Sequence, residues 1–406
     1  MDYASTLARL KSINQEHLLA YYDELDEEKK AILLSRIEKT DFSVLSAIES
    51  QKTRKVGKLT PADALDTESI KSNSAEYAKT GVKAIADGKV AAVLLAGGQG
   101  SRLGSTAPKG MFDMGISREL SIFACQMESV KRIAAQAGYN FHLFVMTSTI
   151  NDAQTRAFFA EKNYFGYEKD RIHFFVQDVV PACSFDKKVL LSQKHMPALV
   201  PNGNGGWYVS LLNSGLGEII KAEGIEWLNV YGVDNVLQKI CDPVFVGATI
   251  KSGVNCSGKV VTKTRPEENV GVLCKEDGAP TVIEYTEIED EYKYARDESG
   301  KLIYSAGVIL NYLFSVPKLD EICKKKLPYH IAVKKIEYVE DGKTVCPSKP
   351  NAYKFELLAV DLVKLMGSCL AFEVEREKEF APVKNATGVD SVETARALLI
   401  KNGVEL

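Results

Sequence analysis

The stretch KVAAVLLAGGQGSRLGSTAPKGM (residues 89–111) joins a buried-strand pattern to a glycine-rich loop. Residues 90–95 are an unbroken apolar run, which is typical of a strand covered on both faces of a sheet. Glycines and cations follow this run at Gly97, Gly98, Gly100, Arg102, Gly104 and Lys109. Glycine permits positive φ angles and close approach of backbone to a ligand, and exposed N–H groups attract anions. The stretch therefore predicts a phosphate-binding loop at the end of a buried strand.

Two common phosphate-binding patterns do not fit this loop. The P-loop requires G-x-x-x-x-G-K-[ST], and the nearest approach, GVNCSGKV from Gly253, has Val260 where the metal-binding hydroxyl should stand. The dinucleotide fingerprint G-x-G-x-x-G, started at Gly98, meets Leu103 at its last position. A dinucleotide-dependent oxidoreductase is therefore disfavoured, and NADH binding would revive it.

The hydrophobic pattern of the chain predicts an α/β protein. Short apolar strands alternate with helices in SIFACQMESVKRIAAQAG (121–138), FHLFVMTS (141–148), IHFFVQD (172–178) and IEWLNVYGVDN (225–235). Such alternation predicts a mostly parallel sheet flanked by helices, with ligands beyond the carboxyl ends of the strands. Loop 97–109 and residues 233–235 are both expected at that edge.

The same pattern predicts two regions. Residues 1–85 are expected to be helical, and residues 86–406 are expected to form one catalytic domain with a sheet-like insert near 259–315. Residues 354–367, KFELLAVDLVKLMG, are interpreted as a helix.

Composition sets further limits on function. The chain has 406 residues, a formal charge of −3 and no apolar run long enough to span a membrane, so a cytoplasmic protein is expected and nucleic acid is not an expected partner. Its eight cysteines include no C-x-x-C pair, and reduced thiols without a zinc site are expected.

Several motifs together indicate a family. The pattern L-x-G-G-x-G-x-R-L-x(4)-P-K, from Leu95 to Lys109, resembles that of sugar nucleotidyltransferases. Over roughly residues 40–400 the chain resembles the eukaryotic UDP-N-acetylhexosamine pyrophosphorylases and, less closely, other UDP-sugar pyrophosphorylases. The segments that carry this resemblance are FFVQDVVPACSFD (174–186), PNGNGGWY (201–208), NVYGVDN (229–235), VGVLCKEDG…VIEYTEI (270–288), YSAGVILNYLF (304–314) and EFAPVKNATG (379–388). The resemblance implies a Rossmann-like nucleotidyltransferase fold.

The resemblance also implies roles for individual residues. Those implied to bind the nucleotide are Leu95, Ala96, Gly97, Gly98, Gln177 and Gly203. Those implied to bind the sugar are Asn204, Gly271, Glu284 and Tyr285. Arg102, Lys109 and Lys384 resemble the cations that contact the phosphates, and Asp234 resembles the carboxylate that holds Mg²⁺ (or Mn²⁺).

The chain departs from the family at several positions. Asn202 replaces an acidic residue, and Val308 stands where asparagine is usual and cannot hydrogen-bond a sugar. Leu358 and Val360 stand where aromatic residues often line the acetamido pocket. The chain ends soon after the predicted helix that contains ETARALL (393–399), so the family's C-terminal β domain is expected to be absent and the protein is expected to be a monomer.

The resemblance predicts formation of UDP-N-acetylglucosamine and pyrophosphate from UTP and N-acetylglucosamine 1-phosphate. The alternatives are a UDP-glucose, UDP-galactose or broad-specificity UDP-sugar pyrophosphorylase and, in another functional class, a non-catalytic sugar-nucleotide-binding protein.

Overall fold

The computed structural model describes residues 2–49 and 56–406, and contacts within it divide the chain into two compact units. The first unit takes its described residues from 2–49, Asp178–Gly206 and Leu327–Leu358. The second consists of Val56–Gln177, Trp207–Lys326 and Ala359–Leu406. This division differs from the predicted boundary near residue 85, because two distant segments join the N-terminal helices. Residues 50–55 of the predicted helical region lie outside the described residues.

The helices and strands within residues 2–49 and 56–406 are numbered in chain order. The α-helices are α1 (Tyr3–Ser12), α2 (Glu27–Lys39), α3 (Thr67–Ala86), α4 (Ile122–Ala137), α5 (Asp152–Glu161), α6 (Trp207–Asn213), α7 (Gly217–Ala222), α8 (Pro243–Ser252), α9 (Asp290–Lys293), α10 (Val316–Ile322), α11 (Leu362–Met366), α12 (Arg376–Glu379) and α13 (Val392–Lys401). The strands are β1 (Leu59–Pro61), β2 (Ala64–Leu65), β3 (Val90–Leu95), β4 (Leu143–Thr147), β5 (Ile172–Val176), β6 (Val179–Pro181), β7 (Cys183–Ser184), β8 (Leu191–Gln193), β9 (Met196–Pro197), β10 (Leu199–Pro201), β11 (Trp227–Gly232), β12 (Cys256–Thr262), β13 (Val272–Glu276), β14 (Ala279–Ile283), β15 (Ala306–Ser315), β16 (His330–Lys334), β17 (Tyr338–Glu340), β18 (Lys343–Val345), β19 (Ala352–Glu356) and β20 (Cys369–Glu373).

The first unit packs α1 and α2 with short antiparallel sheets. Its core joins Leu10, Leu33 and Ile37 from the helices to Val189 and Phe355. The helix interpretation of residues 354–367 is wrong at its start, because β19 pairs with β16 and β7 in a three-stranded sheet. Helix is found only at Leu362–Met366, after a short 3₁₀ turn.

The second unit contains the predicted mixed, mostly parallel sheet. The order of its main strands is β2-β20-β12-β15-β11-β3-β4-β5. Parallel pairing joins β11 to β3, β3 to β4 and β4 to β5, whereas β15 runs antiparallel to both β11 and β12. All six residues of β3 are buried, as the apolar run predicts.

Local sequence signals explain where the flanking helices begin and end. Helix α4 begins after Ser121, whose hydroxyl caps the N–H of Ala124 at 3.1 Å, and it ends at Gly138, whose φ is 65°. Helix α3 packs against α8 within the second unit, and glycines stand where the two helices cross. A Cβ added to Gly247 would lie 3.0 Å from the backbone nitrogen of Gly81, so side chains at these positions would push the two helices apart.

Candidate active site

The loops that follow β3 and β11 begin side by side at one edge of the sheet. Leu95 and Gly232, the last residues of these parallel strands, are register partners. The N–H of Val233 donates to the carbonyl of Leu95 at 3.2 Å. The prediction that loop 97–109 and residues 233–235 share the carboxyl-terminal edge is therefore confirmed, and this edge is where ligands bind in sheets of this class.

The glycines of loop 97–109 have different structural roles, which the sequence pattern does not distinguish. Of the four, only Gly104 has a positive φ, at 75°, so the left-handed backbone that glycine permits is not used at Gly97, Gly98 or Gly100. A Cβ on Gly97 would clash with the amide nitrogen of Gln177, whereas a Cβ on Gly98 would meet no atom within 4 Å. Gly97 therefore admits the neighbouring Gln177, and Gly98 lies beside open space.

The backbone N–H and carbonyl groups of this loop are placed so that an anion or a polar base could bind to the N–H groups. The buried Asn151 donates from Nδ2 to the carbonyls of Ala96 (2.9 Å) and Gly98 (3.3 Å). Within residues 2–49 and 56–406, the N–H groups of Gly97 and Gly98 have no hydrogen-bond acceptor. The loop therefore holds its carbonyls internally and leaves consecutive N–H donors available, which is the arrangement of an anion-binding concavity.

Three cations and one carboxylate share an electrostatic environment at this edge. Burial lowers the pKa of the Lys109 ammonium; the Asp234 carboxylate opposes that effect, and Lys384 and Arg102 add to it. Asp234 and Lys384 are both half-buried, and Lys384 lies 3.3 Å from the carboxylate of Asp390. The structure thus brings together Arg102, Lys109, Lys384 and Asp234 from three separate parts of the sequence.

Arg102 is exposed on a short 3₁₀ turn formed by Ser101–Leu103. Leu103 is buried and its N–H donates to the carbonyl of Gly100 at 2.8 Å, so the turn is anchored while Arg102 points away from the core. Among the residues that the structure describes, none forms a hydrogen bond or ion pair with the Arg102 guanidinium. This planar donor group is therefore available to a phosphate.

A second cluster unites three residues that the sequence analysis related to the sugar. A Cβ on Gly271 would lie 3.3 Å from Oε1 of Glu284 and 3.4 Å from Cγ2 of Val308. The N–H of Val308 donates to the carbonyl of Gly271 at 2.9 Å. Tyr285 is 41% exposed and Val360 is buried. The predicted sugar contacts of Gly271, Glu284 and Tyr285 stay predictions.

Gly203 and Asn204 belong to the first unit, in a loop that packs against its own backbone. Gly203 has a φ of 87°, and a Cβ there would lie 2.8 Å from the backbone nitrogen of Leu357. The N–H of Gly205 donates to the Leu357 carbonyl at 2.8 Å, and a Cβ on Gly205 would lie 2.6 Å from the nitrogen of Leu358. Asn204 is half-buried, and its sugar contact stays a prediction.

At position 202, where the family resemblance predicts an acidic side chain, the loop has the uncharged amide of Asn202. With its nitrogen facing inward, the amide donates to the carbonyls of Asp178 at 2.9 Å and Gly203 at 3.2 Å. A carboxylate could not donate these hydrogen bonds. The substitution therefore keeps the position within the hydrogen-bonded loop while removing its charge.

Metal ligands are sparse in the described part of the chain. Residues 2–49 and 56–406 contain no group of three or more His, Cys, Asp or Glu side chains that could hold a metal. Asp234 offers a carboxylate that acts on the Lys109 ammonium, and the carboxylate of Asp390 pairs with Lys384. A single carboxylate suits Mg²⁺, which binds proteins through one or two carboxylates and takes its other ligands from water and phosphate.

Every helix within residues 2–49 and 56–406 is too short or too polar to cross a bilayer.

Sequence reasoning missed the amides that support this site. Asn151 binds the glycine loop, and Gln126 and Gln238 donate to the carbonyl of Gly232 at 3.1 and 2.7 Å. The position of Asn151, shortly after the end of strand β4, was an available signal. Gln126 faces inward from a helix, where polar residues carry no distinguishing periodicity.

Comparison with known proteins identifies a family. The family model described as UTP–glucose-1-phosphate uridylyltransferase matches residues 40–402. The human UDP-N-acetylhexosamine pyrophosphorylase-like protein 1 is 36% identical, with 97% of this chain and 83% of the human protein covered. The UDP-N-acetylglucosamine pyrophosphorylase of Saccharomyces cerevisiae is also 36% identical, with 96% and 85% covered.

A solved structure agrees with the sequence comparison. The uridine diphosphate N-acetylglucosamine pyrophosphorylase from Trypanosoma brucei, solved with an inhibitor, is similar to this chain with a TM-score of 0.83 at 28% identity. The match covers 98% of this chain and 84% of the trypanosomal chain. Together with the glycine loop, these matches show that the chain belongs to the UTP–glucose-1-phosphate uridylyltransferase family.

Proposed function

We propose that the protein is a uridylyltransferase that forms UDP-N-acetylglucosamine and pyrophosphate from UTP and N-acetylglucosamine 1-phosphate, reversibly. The observation that carries this proposal is the grouping of Arg102, Lys109, Lys384 and Asp234 at the sheet edge that carries the glycine loop, where the N–H groups of Gly97 and Gly98 have no acceptor among the described residues. The names of the human, yeast and trypanosomal relatives support N-acetylglucosamine 1-phosphate as the sugar substrate.

The reaction needs positioning and charge neutralisation more than acid–base chemistry. An oxygen of the sugar phosphate attacks the α-phosphorus of UTP; the new O–P bond forms as the bond to the β-phosphate oxygen breaks, and pyrophosphate leaves. The nucleophile is already an anion at neutral pH, so no general base is required. Arg102 and Lys109 contact the α-phosphate and the departing pyrophosphate, and Lys384 neutralises further phosphate charge.

Asp234 is the residue that would hold Mg²⁺. The metal supplies charge neutralisation at the phosphate oxygens when it is bound. The negative charge of this half-buried carboxylate also opposes the lowering of the Lys109 pKa, so it favours the protonated ammonium.

The remaining site residues orient the two substrates. Ala96 to Gly98 and Gln177 contact the base through the backbone and one amide, with Leu95 ending the supporting strand. Gly203 and Asn204 are proposed to contact the nucleoside and the sugar hydroxyls. Gly271, Glu284 and Tyr285 contact the sugar, and Glu284 accepts hydrogen bonds from its hydroxyls.

The side chain of Val308 favours a second candidate substrate, a sugar 1-phosphate without an acetamido group. Its methyl groups lie in the Gly271–Glu284 cluster and offer no hydrogen bond. A UDP-glucose, UDP-galactose or broad-specificity enzyme is therefore the second candidate.

A substrate panel tests these proposals. Purified protein, UTP and Mg²⁺ are incubated in turn with the 1-phosphates of N-acetylglucosamine, N-acetylgalactosamine, glucose and galactose, and released pyrophosphate is measured. The highest kcat/KM is expected with N-acetylglucosamine 1-phosphate. A higher value with glucose or galactose 1-phosphate would select the second candidate. Binding of UDP-sugar without pyrophosphate release from any substrate would indicate a non-catalytic sugar-nucleotide-binding protein.

A further inference from the structure

A group of buried amide side chains lies behind the turn that carries Asp234. We call it the amide cluster. Its members are Gln126, Asn229, Asn235, Gln238 and Asn311, each exposed by 2% or less. Burying amides is unfavourable unless they are hydrogen-bonded, and a connected network of them fixes local geometry.

Two members hold the turn through its carbonyls. Gln126 Nε2 donates to the carbonyls of Gly232 (3.1 Å) and Asn235 (3.3 Å). Gln238 Nε2 donates to the same two carbonyls at 2.7 and 3.1 Å, and its Oε1 accepts from Asn311 Nδ2 at 3.3 Å. The backbone on both sides of Asp234 is thus restrained by two independent side chains.

Asn235 links this turn to the segment that carries Lys384. Its Nδ2 donates to the carbonyl of Glu379 at 2.7 Å, and its Oδ1 accepts from the N–H of Ala381 at 2.9 Å. The N–H of Val383 donates to the carbonyl of Asp234 at 2.8 Å. Residues 379–383 therefore run beside the turn, and Lys384 follows directly.

A buried ion pair anchors the start of the same segment. Lys259 Nζ is fully buried, lies 2.6 Å from Oε2 of Glu379 and also contacts Asp242 at 3.3 Å. Buried ion pairs add little to stability compared with apolar side chains of equal volume, because both charges lose their hydration. The use of charged and amide groups here accordingly points to a requirement for fixed geometry.

We infer that Asn235 is a positioning residue, which holds the Lys384 segment against the Asp234 turn so that the ammonium and the carboxylate reach the phosphates together. The inference rests on the proposed function, since it assigns Asn235 an effect on turnover through Lys384. Asn235 itself is 2% exposed, and both ends of its amide are hydrogen-bonded to backbone groups of residues 379 and 381.

The first test compares Asn235→Ala with a matched control. Asn235→Ala is expected to lower kcat by roughly 10- to 100-fold, because small misplacements of a catalytic group have effects of this size, and to change KM for UTP by less than about threefold. Asn351→Ala is the control, since Asn351 likewise bonds a backbone N–H and C=O, both of Ile336, at 2.8 and 2.9 Å. A comparable loss of kcat in Asn351→Ala would overturn the inference.

A double-mutant cycle separates positioning through Lys384 from general support of the fold. If Asn235 acts through Lys384, Asn235→Ala lowers kcat by less than about threefold in a Lys384→Ala background. Equal fold-losses in both backgrounds overturn the inference and leave the proposed function intact. An unchanged kcat in Lys384→Ala overturns the inference and the proposed role of Lys384. A wild-type protein that releases no pyrophosphate overturns the proposed function and this inference together.

Circular dichroism and thermal unfolding accompany each variant. If Asn235→Ala does not fold, the cycle is repeated with Asn235→Ser, which keeps a polar group in the buried space. The same coupling with Lys384→Ala is required there, and its absence overturns the inference.

Discussion

Two glycine-rich loops of this protein look alike in sequence and differ in structure. In loop 97–109, Gly98 is exposed beside open space, and the N–H groups of Gly97 and Gly98 find no acceptor in the described part of the chain. In loop 202–206, Gly203 and Gly205 lie against the backbone of Leu357 and Leu358. The first loop leaves its surface available, and the second fills its surface with its own chain.

The difference shows that glycine content alone does not identify a ligand cradle. In the first loop Gly97 leaves room for the Gln177 side chain, and in the second Gly203 provides a φ of 87° combined with backbone packing. Cations also distinguish the loops, since Arg102 and Lys109 belong to the first and residues 202–206 contain none. Substitutions in the first loop should therefore act mainly on turnover, whereas substitution of Gly203 should lower stability in addition to any effect on its proposed contact with the nucleoside.

Arg102→Ala is expected to have the largest effect on turnover. Removing a preorganised cation should lower kcat by about 10²–10³-fold, by analogy with the loss of a transition-state hydrogen-bond donor. The unfolding temperature should stay within experimental error, because Arg102 is exposed and bonds no described residue. Arg36→Ala, at an exposed position of α2, is the control. Near-normal turnover in Arg102→Ala would remove this residue from the mechanism.

Gly203→Ala is expected to give the largest loss of stability. A left-handed φ and contact with the Leu357 backbone together should lower the free energy of unfolding by roughly 2–4 kcal/mol. Gly215→Ala separates the two causes, because Gly215 has a φ of 83° with no atom within 4 Å of an added Cβ. Denaturant titration monitored by circular dichroism measures both. Equal losses in the two variants would show that packing against Leu357 adds nothing.

The sequence predicted the location of the candidate site better than its internal geometry. The apolar run of β3, the strand-end positions of Gly97 and Asp234, and the alternation of strands and helices have local signatures. The joining of residues 178–206 and 327–358 to the N-terminal helices has none, because it depends on pairing between distant segments. Phe355 shows the same limit, since its spacing fits a helix or a strand and pairing of β19 with β16 decides the outcome.

The buried amides lie beyond this kind of prediction for another reason. Asn151 and Asn235 are recognised by the carbonyls they bind, and those contacts exist only after the fold brings the segments together. The backbone conformation of Leu310 likewise has no signature in the sequence. It has a φ of 51° at an irregularity between β12 and β15, and its Cδ2 would lie 2.7 Å from a Cβ on Gly232.

Gly98→Ala sharpens the comparison on the open loop. The added methyl group meets no atom of the described residues within 4 Å, so stability should be unchanged, whereas KM for UTP should rise by roughly tenfold if a ligand occupies that space. Gly97→Ala should raise KM and also lower the unfolding temperature, because its methyl group would displace Gln177. An unchanged KM in Gly98→Ala would show that the nucleotide lies elsewhere.

The smallest expected effect concerns the pH dependence conferred by Lys109. Burial lowers the pKa of this ammonium, with Lys384 and Arg102 adding to the shift and Asp234 opposing it. A lysine loses its charge as the pH rises through its pKa, so kcat/KM should fall on the alkaline side at a lower pH than the usual value of about 10.4 would give. Phosphate binding favours the charged form, so the fall in kcat should occur at a higher pH than the fall in kcat/KM.

Lys109→Arg tests the origin of that alkaline fall. A guanidinium stays protonated throughout the accessible range, so the variant should keep a constant kcat/KM to higher pH even if its maximum is reduced by altered geometry. Lys39→Arg, at an exposed position of α2, should leave the profile unchanged. If Lys109→Arg keeps the wild-type alkaline fall, another group governs it. The charge of Lys109 would then be constant over the working range, and its proximity to Lys384 and Arg102 would serve affinity for phosphate without any pH sensitivity.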